Sequence, residues 1–149
     1  MMTLDEALAG VTSLCLDTAP LIYFVEANPT YLATMRDVLR RIDSGAIAGL
    51  SSVITLTEVL TQPKKKGNSA VQEAYRDVLL HGRNFSLIHI DEVIADSAAT
   101  LRAVYNLRTP DALQIAAGMN SGCDAFLTND AALERVKEIR VLTLDKLKL

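Results

Sequence analysis

Short apolar runs of strand length alternate along the sequence with longer amphipathic stretches, and this alternation limits the folds available to the chain. Four runs have the length and composition of a buried strand: residues 13–17, 85–90, 125–128 and 141–144. A strand covered on both faces has a continuous apolar sequence, whereas a half-exposed strand alternates apolar and polar residues. The runs therefore predict the strands of a parallel sheet with helices on both faces.

Amphipathic stretches fill the intervals between these runs. Apolar residues recur at helical spacing in residues 29–44, 69–81 and 91–105, and Asp91 is placed to cap the third stretch. A further helix is expected from Thr109-Pro110, a capping residue followed by a proline at the first helical position, to a stop at Gly122. The pattern of residues 52–60 fits a strand about as well as a helix. The order of elements predicts an α/β fold, a three-layer sandwich whose mostly parallel central sheet is flanked by helices.

The length and composition fit one globular domain over residues 1–149. Half of the residues are hydrophobic and 22% are charged, a balance that excludes intrinsic disorder. The net charge of −3 argues against a protein that coats nucleic acid with a broad basic surface, but not against a nuclease in which a metal supplies positive charge. No signal peptide begins the chain, and no run approaches the roughly 18 apolar residues of a membrane span. We therefore expect a cytoplasmic protein in which Cys15 and Cys123 stay reduced.

Four acidic residues from distant parts of the sequence are candidates for one site. Asp17 closes the first strand, Asp130 follows the strand at 125–128, Asp111 lies in the first turn of a helix, and Glu58 is the lone acid of an apolar segment. Ligands of open parallel sheets bind beyond the carboxyl ends of the strands, where these acids are expected to meet. Such a cluster repels itself unless it holds a divalent cation, and oxygen ligands favour Mg²⁺ or Mn²⁺. Taken singly, each aspartate also fits a turn residue or a helix cap.

The segments around these acids resemble the motifs of PIN-domain ribonucleases, and most closely those of the VapC-type toxins of bacterial toxin–antitoxin pairs. The matching segments are Leu16-Asp17-Thr18, Thr57-Glu58-Val59-Leu60, Arg108-Thr109-Pro110-Asp111-Ala112-Leu113-Gln114-Ile115-Ala116-Ala117 and Leu127-Thr128-Asn129-Asp130. The resemblance extends over residues 14 to 144. One position departs from the pattern, because Ala19-Pro20 follows Thr18 where many relatives carry a polar residue such as Asn.

The resemblance implies a PIN-like fold in which residues 52–61 form a helix that presents its acid inward. It implies a metal-dependent endoribonuclease that uses Mg²⁺, which Mn²⁺ can replace, and that acts as a toxin with a cognate antitoxin partner. The implied catalytic and metal-binding residues are Asp17, Glu58, Asp111 and Asp130, and the implied supporting polar residues are Thr18, Thr128 and Asn129. A homodimer through apolar helix faces is implied as well.

Basic residues near these motifs are candidates for contact with the RNA backbone. They are Lys64, Lys65, Lys66 and Arg108. The three lysines form a run between Pro63 and Gly67, and a solvated loop is the alternative interpretation of that run.

Other classes of function fit the sequence less well. A phosphatase of the haloacid dehalogenase type needs a second aspartate two residues after the first, where this chain has Ala19. A phospho-receiver domain needs an acidic pair near the first strand and a lysine after a later one, and both are missing here. The remaining alternative is a catalytically silent PIN-like module that binds RNA or protein. The complete set of four acids favours the enzyme.

Overall fold

The computed structural model describes all 149 residues and contains a five-stranded and a two-stranded sheet. The strands in chain order are β1 (Met2–Thr3), β2 (Ser13–Leu16), β3 (Ala48–Ser52), β4 (Phe85–Ile88), β5 (Ala125–Thr128), β6 (Arg140–Thr143) and β7 (Leu147–Lys148). The large sheet has the order β4-β3-β2-β5-β6, and β1 pairs with β7. Every pair is parallel, which confirms the sheet predicted from the apolar runs.

The strand order creates a switch point at the centre of the large sheet. From β2 the chain adds β3 and β4 on one side, and it then crosses back to add β5 and β6 on the other side of β2. The connections that leave β2 and β5 therefore diverge, and a crevice opens beyond the carboxyl ends of these two strands. Asp17 follows β2 directly and Asp130 lies two residues after β5. The topology thus brings two of the predicted site residues to the crevice.

Seven α-helices flank the sheets. They are α1 (Leu4–Leu8), α2 (Thr18–Val25), α3 (Leu32–Asp43), α4 (Val53–Lys65), α5 (Ser69–Leu79), α6 (Glu92–Tyr105) and α7 (Thr109–Asn120). Asp91 caps α6, as predicted. The prediction for the start of α7 was wrong by one residue, because Arg108 is the N-cap, Thr109 is the first helical residue and Pro110 is the second. The segment with the ambiguous pattern is the helix α4, and Ser52 caps it by accepting a hydrogen bond from the N–H of Ile54. None of the helices combines the length and hydrophobicity of a transmembrane span.

Alternate residues of the central strands face two separate cores. Leu14 and Leu16 of β2 pack into a core of 20 buried residues to which α1 to α5 contribute. Cys15 points to the opposite face, into a core of 13 buried residues built with α6 and α7. Leu127 and Phe126 of β5 divide between the two cores in the same way. Because both faces are buried, the central strands have the continuous apolar sequence that made them recognisable.

Two elements lacked a clear sequence signal. The strand β3 has no apolar run, because the side chains that pack against its centre leave room only for glycine. A Cβ atom on Gly49 would lie 2.7 Å from Ile42 Cδ1 and 2.8 Å from Phe85 Cδ2. The apolar run at residues 21–25 belongs to α2, which begins immediately after β2. Its Leu21 is fully buried in the larger core, so this run completes that core.

Substitution of Gly49 tests the close approach of α3 to β3. Gly49→Val should lower the free energy of unfolding by about 1–3 kcal/mol, because the added methyl groups force Ile42 and Phe85 out of their packed positions. The control is Ala48→Val, at an exposed position of the same strand, with an expected change within about 0.5 kcal/mol. Urea denaturation measures both. Equal changes for the two variants would contradict this account of β3.

Candidate active site

Asp17 occupies the switch point with both carboxylate oxygens held. Its backbone N–H donates to the carbonyl oxygen of Leu127 at 2.9 Å, which extends the pairing of β2 with β5 by one residue. Oδ1 accepts a hydrogen bond of 2.8 Å from the N–H of Thr18, and Oδ2 accepts one of 2.8 Å from Thr128 Oγ1. Asp17 is therefore both the N-cap of α2 and the acid at the centre of the crevice.

The surroundings of Asp17 raise the pKa of its carboxyl above the ordinary value. Burial is the largest cause, and the nearby charges of Asp111 and Glu58 act in the same direction. The hydrogen bonds from Thr128 and Thr18 oppose the shift without cancelling it. The ionised carboxylate at the centre of the site thus lacks sufficient compensating positive charge.

Glu58 reaches the same crevice from α4. Its Oε1 accepts a hydrogen bond of 2.7 Å from Thr18 Oγ1, while its side chain is otherwise exposed to solvent. Thr18 therefore lies between two acids, because its N–H donates to Asp17 and its hydroxyl donates to Glu58. The helix that the family resemblance implied for this segment is confirmed.

Asp111 and Arg108 form an ion pair at the start of α7. The Nε of Arg108 donates to Asp111 Oδ2 at 3.1 Å. The Asp111 side chain is 16% exposed, whereas that of Arg108 is 79% exposed. Neither Nη group of Arg108 has a hydrogen-bond partner in the protein, so the guanidinium reaches the acids with most of its donors free.

Asp130 is joined to Asp17 through a single hydroxyl group. The backbone N–H of Asp130 donates to Thr128 Oγ1 at 3.1 Å, and the same hydroxyl donates to Asp17. The Asp130 side chain accepts a hydrogen bond of 3.0 Å from the N–H of Ala132 and so caps a short 3-10 helix, Ala131–Arg135. The capping role that the sequence left open is present, and it coexists with a place in the crevice.

Asn129 connects the loop after β5 to a stacked pair of tyrosines, Tyr23 and Tyr31. Its Nδ2 donates to the hydroxyl of Tyr23 at 3.3 Å, and its Oδ1 accepts a hydrogen bond of 3.0 Å from the N–H of Asp145. Tyr23 stacks on Tyr31 with ring centroids 4.6 Å apart. Asn129 contacts none of the four acids through its side chain, so its contribution is to hold the loop.

The four acids line one cavity of about 280 Å³. Its other lining residues are Thr18, Ala19, Ile22, Tyr23, Arg108, Thr128 and Asn129. In this conformation no three His, Cys, Asp or Glu side chains lie close enough together to hold a metal ion. The donor set nevertheless consists of oxygen atoms alone, with no histidine or thiol, and it fits Mg²⁺ or Mn²⁺. Binding would require some of the carboxylates to move closer together.

The remaining predicted residues lie apart from the cavity, and one group of residues was missed. Lys64 and Lys65 end α4 and Lys66 follows it; all three are exposed and form no ion pair.

The missed residues are polar side chains buried beneath the acids: Ser51, Ser52, Thr55 and Gln114. A signal for the last was present, since a glutamine between Leu113 and Ile115 interrupts an otherwise apolar helix face.

These features define a class of protein: a parallel α/β sheet whose switch point carries a cavity lined by four carboxylates. The family model of the PIN domain matches residues 14–139. The chain therefore belongs to the PIN domain family. A sequence comparison with curated proteins gives no significant match.

Solved structures of toxin–antitoxin proteins have the same fold. VapBC2 from Rickettsia felis, bound to a DNA fragment from their promoter, aligns with a TM-score of 0.73 and 14% identity over 89% of this chain and 98% of that chain. A toxin–antitoxin complex from Klebsiella pneumoniae aligns with a TM-score of 0.67 and 22% identity over 88% and 97%. VapC20 from Mycobacterium tuberculosis, a toxin that cleaves the sarcin–ricin loop, aligns with a TM-score of 0.64 and 15% identity over 85% of this chain and 98% of that chain.

The raised pKa of Asp17 predicts how the stability of the metal-free protein depends on pH. Between the unfolded-state pKa of about 3.9 and the raised folded-state value, the folded protein binds more protons than the unfolded chain, so stability falls as pH rises through this window. In EDTA, Asp17→Asn should therefore melt at a higher temperature than the unmodified protein at about pH 7, and the difference should shrink toward about pH 4. Thermal unfolding followed by circular dichroism measures this. A variant that melts lower by the same amount at both pH values would contradict the electrostatic account.

Proposed function

We propose that this protein is a divalent-metal-dependent endoribonuclease that acts as the toxin of a toxin–antitoxin pair. The observation that carries the proposal is the meeting of four carboxylates, from four separate segments, in one cavity at the switch point of the sheet. Membership of the PIN domain family supports a nuclease, and the similarity of fold to a toxin that cleaves the sarcin–ricin loop supports RNA as the substrate.

The four acids divide by exposure into two pairs. Asp17 and Asp111 are half-buried, whereas Glu58 and Asp130 are exposed to solvent. Asp17, Asp111 and Glu58 would hold the metal, and Asp130 is the candidate to accept the proton of the attacking water. Bound Mg²⁺ or Mn²⁺ supplies Lewis-acid stabilisation of the phosphate and activation of water. Thr128 and Thr18 keep Asp17 and Glu58 in place by donating hydrogen bonds to them.

The substrate phosphate needs positive charge from the protein as well. The free Nη groups of Arg108 lie at the cavity and can donate two parallel hydrogen bonds to phosphate oxygens. Along α4, Lys65 lies seven residues after Glu58, which is about 10 Å of helix and nearly two full turns. Lys65 therefore projects from the same side of the helix as the acid, whereas Lys64 is rotated away by a further 100° or so.

A catalytically silent PIN-like binding module is the alternative. A module that only binds RNA would gain nothing from four carboxylates, because they repel the phosphate backbone in the absence of a metal. The complete set of acids therefore favours the enzyme over the silent module.

Cleavage by the purified chain tests the proposed activity. Mg²⁺ or Mn²⁺ should support endonucleolytic cleavage of RNA, EDTA should abolish it, and Asp17→Asn should reduce it to background while the protein stays folded. The control is Asp96→Asn, an exposed acid on α6 outside the acidic cavity, which should cleave like the unmodified protein. Undiminished cleavage by Asp17→Asn, or by the unmodified chain in EDTA, would sink the proposal.

Substitution of the lysines tests the path of the RNA. Lys65→Gln should weaken RNA binding and lower the slope of log affinity against log salt by about 0.7, because one phosphate contact to a single strand is lost. Lys64→Gln is the matched control and should change the slope less. Fluorescence anisotropy with the folded Asp17→Asn protein measures both without cleavage. A larger effect of Lys64→Gln would place the RNA on a different side of α4.

The proposed function includes a protein inhibitor. Among the similar structures, one is a toxin–antitoxin complex and another is VapBC2. The ion pair of Asp111 with Arg108 shows that a guanidinium suits these acids. We expect the antitoxin to insert an arginine or, less favourably, a lysine among them.

The proposal also includes a homodimer formed through apolar helix faces. The candidates for this interface are Leu80, Val93 and Val104, large apolar side chains that are exposed on α5 and α6 or at their ends.

Competition with metal tests this mode of inhibition. Raising MgCl₂ should weaken the binding of a co-expressed antitoxin more than NaCl of equal ionic strength does, because Mg²⁺ and the cationic side chain compete for the same carboxylate oxygens. Titration calorimetry of the two proteins in both salts measures the difference. Equal weakening by the two salts would locate the inhibitory contact outside the acidic cavity.

A further inference from the structure

The buried polar side chains of this protein are concentrated beneath the acids. Six polar side chains are buried, and five of them lie at the carboxyl edge of the sheet next to the cavity: Ser51, Ser52, Thr55, Gln114 and Thr128. None has an unsatisfied polar atom. The largest is Gln114, which is 1% exposed and belongs to a motif that the proposed reaction leaves without a role. Burying an amide in a helix face needs compensation by hydrogen bonds, and the partners of Gln114 show what that compensation achieves.

The side chain of Gln114 links three hydroxyl groups. Its Oε1 accepts a hydrogen bond of 2.5 Å from Ser52 Oγ. Its Nε2 donates to Thr55 Oγ1 at 2.5 Å and to Thr18 Oγ1 at 3.2 Å. The hydroxyls of Thr55 and Thr18 are 3.1 Å apart, and Thr18 lies 2.7 Å from Glu58 Oε1. The contacts form one continuous chain from the N-cap of α4 to a carboxylate of the cavity.

The hydrogen bonds of Gln114 and the threonines are all donated in the direction of Glu58. An amide nitrogen can only donate, so Thr18 accepts from Gln114 and its single hydroxyl proton is free for Glu58, which can only accept when it is ionised. Thr55 also accepts from Gln114, and its own proton is directed to Thr18. If the amide were reversed, its oxygen would face Thr18 and would compete with Glu58 for that proton. In the structure Oε1 accepts from Ser52 and Nε2 faces both threonines, so the Thr18 proton is left for Glu58.

We infer that Gln114 is a positioning residue that orients Glu58 toward the metal through the hydroxyl of Thr18. This rests on the proposed function, because it assigns to Glu58 a share of the metal. Gln114 touches neither the cavity nor any acid, and it acts by fixing the direction of the Thr18 proton. With Oε1 held by Thr18, Glu58 Oε2 has no hydrogen-bond partner in the protein and is left for the cation. Groups that hold a metal ligand in this way are commonly worth about 10- to 100-fold in metal affinity.

A double-mutant cycle on metal binding tests this inference. The Mn²⁺ affinity of the full chain without RNA is measured by calorimetry for four proteins: unmodified, Gln114→Met, Glu58→Gln and the double variant. Methionine keeps the volume of glutamine and removes its donors and acceptor. We expect Gln114→Met to weaken Mn²⁺ binding by about 10- to 100-fold in the unmodified background and to have no further effect beside Glu58→Gln. The matched control is Ile115→Val, a destabilising change in the adjacent buried residue of α7, which should leave Mn²⁺ affinity unchanged.

The outcomes separate the inference from the proposed function. If the unmodified protein binds no Mn²⁺ and cleaves no RNA, the proposed function fails. If it binds and cleaves, an unchanged affinity for folded Gln114→Met, or an equal loss in both backgrounds, overturns the positioning role alone.

A measurement on the unmodified protein covers the case in which Gln114→Met does not fold. The chain has three glutamines, Gln62, Gln72 and Gln114, so their side-chain amide signals can be assigned by NMR. The Gln114 signals should exchange slowly with solvent and should shift when Mg²⁺ is added, and the shift should be lost in Glu58→Gln. Gln114 signals that do not respond to Mg²⁺ in the unmodified protein overturn the inference.

Discussion

Repulsion among carboxylates at the centre of the sheet is the constraint on which the site depends. Asp17 is held against the end of the central strand, where burial and the charges of two other acids raise the pKa of its carboxyl. Each acid has a donor of its own: a threonine hydroxyl for Asp17 and Glu58, the guanidinium of Arg108 for Asp111, and a backbone N–H for Asp130. These donors do not cancel the rise in the pKa of Asp17, and a cation would supply the missing positive charge.

The polar groups beneath the acids come from the same elements that build the fold. Ser52 ends β3 and caps α4, and Thr128 ends β5 and binds two acids. The residues that close the strands therefore also support the site, so that the core and the cavity are continuous. Loss of any one partner from this buried hydrogen-bonded network is costly, because it would leave a donor or acceptor unsatisfied. This rigidity suits a site that must hold its ligands in place.

Much of the fold and the site was accessible from the sequence, and the failures have physical reasons. The three aspartates were candidates because they lie at strand ends or in the first turn of a helix, and Glu58 because an isolated carboxylate in an apolar segment is rare. The sheet was predicted because strands buried on both faces have continuous apolar runs. The strand β3 was missed because Gly49 has no side chain to signal it, and its serines turn to polar partners. The pattern of α4 was ambiguous because one face carries β-branched residues for the core and another carries Glu58. Gln114 was passed over because the sequence shows a polar residue in a helix but not the hydroxyl groups that surround it.

The central claim is that the acidic cavity binds a divalent cation, and a crystal structure of the protein grown with Mn²⁺ tests it most directly. The anomalous signal of manganese locates the ion independently of the surrounding density. The account predicts an anomalous peak in the cavity in contact with the carboxylates of Asp17 and at least one other of the four acids. A crystal grown at saturating Mn²⁺ with no anomalous peak in the cavity would contradict it.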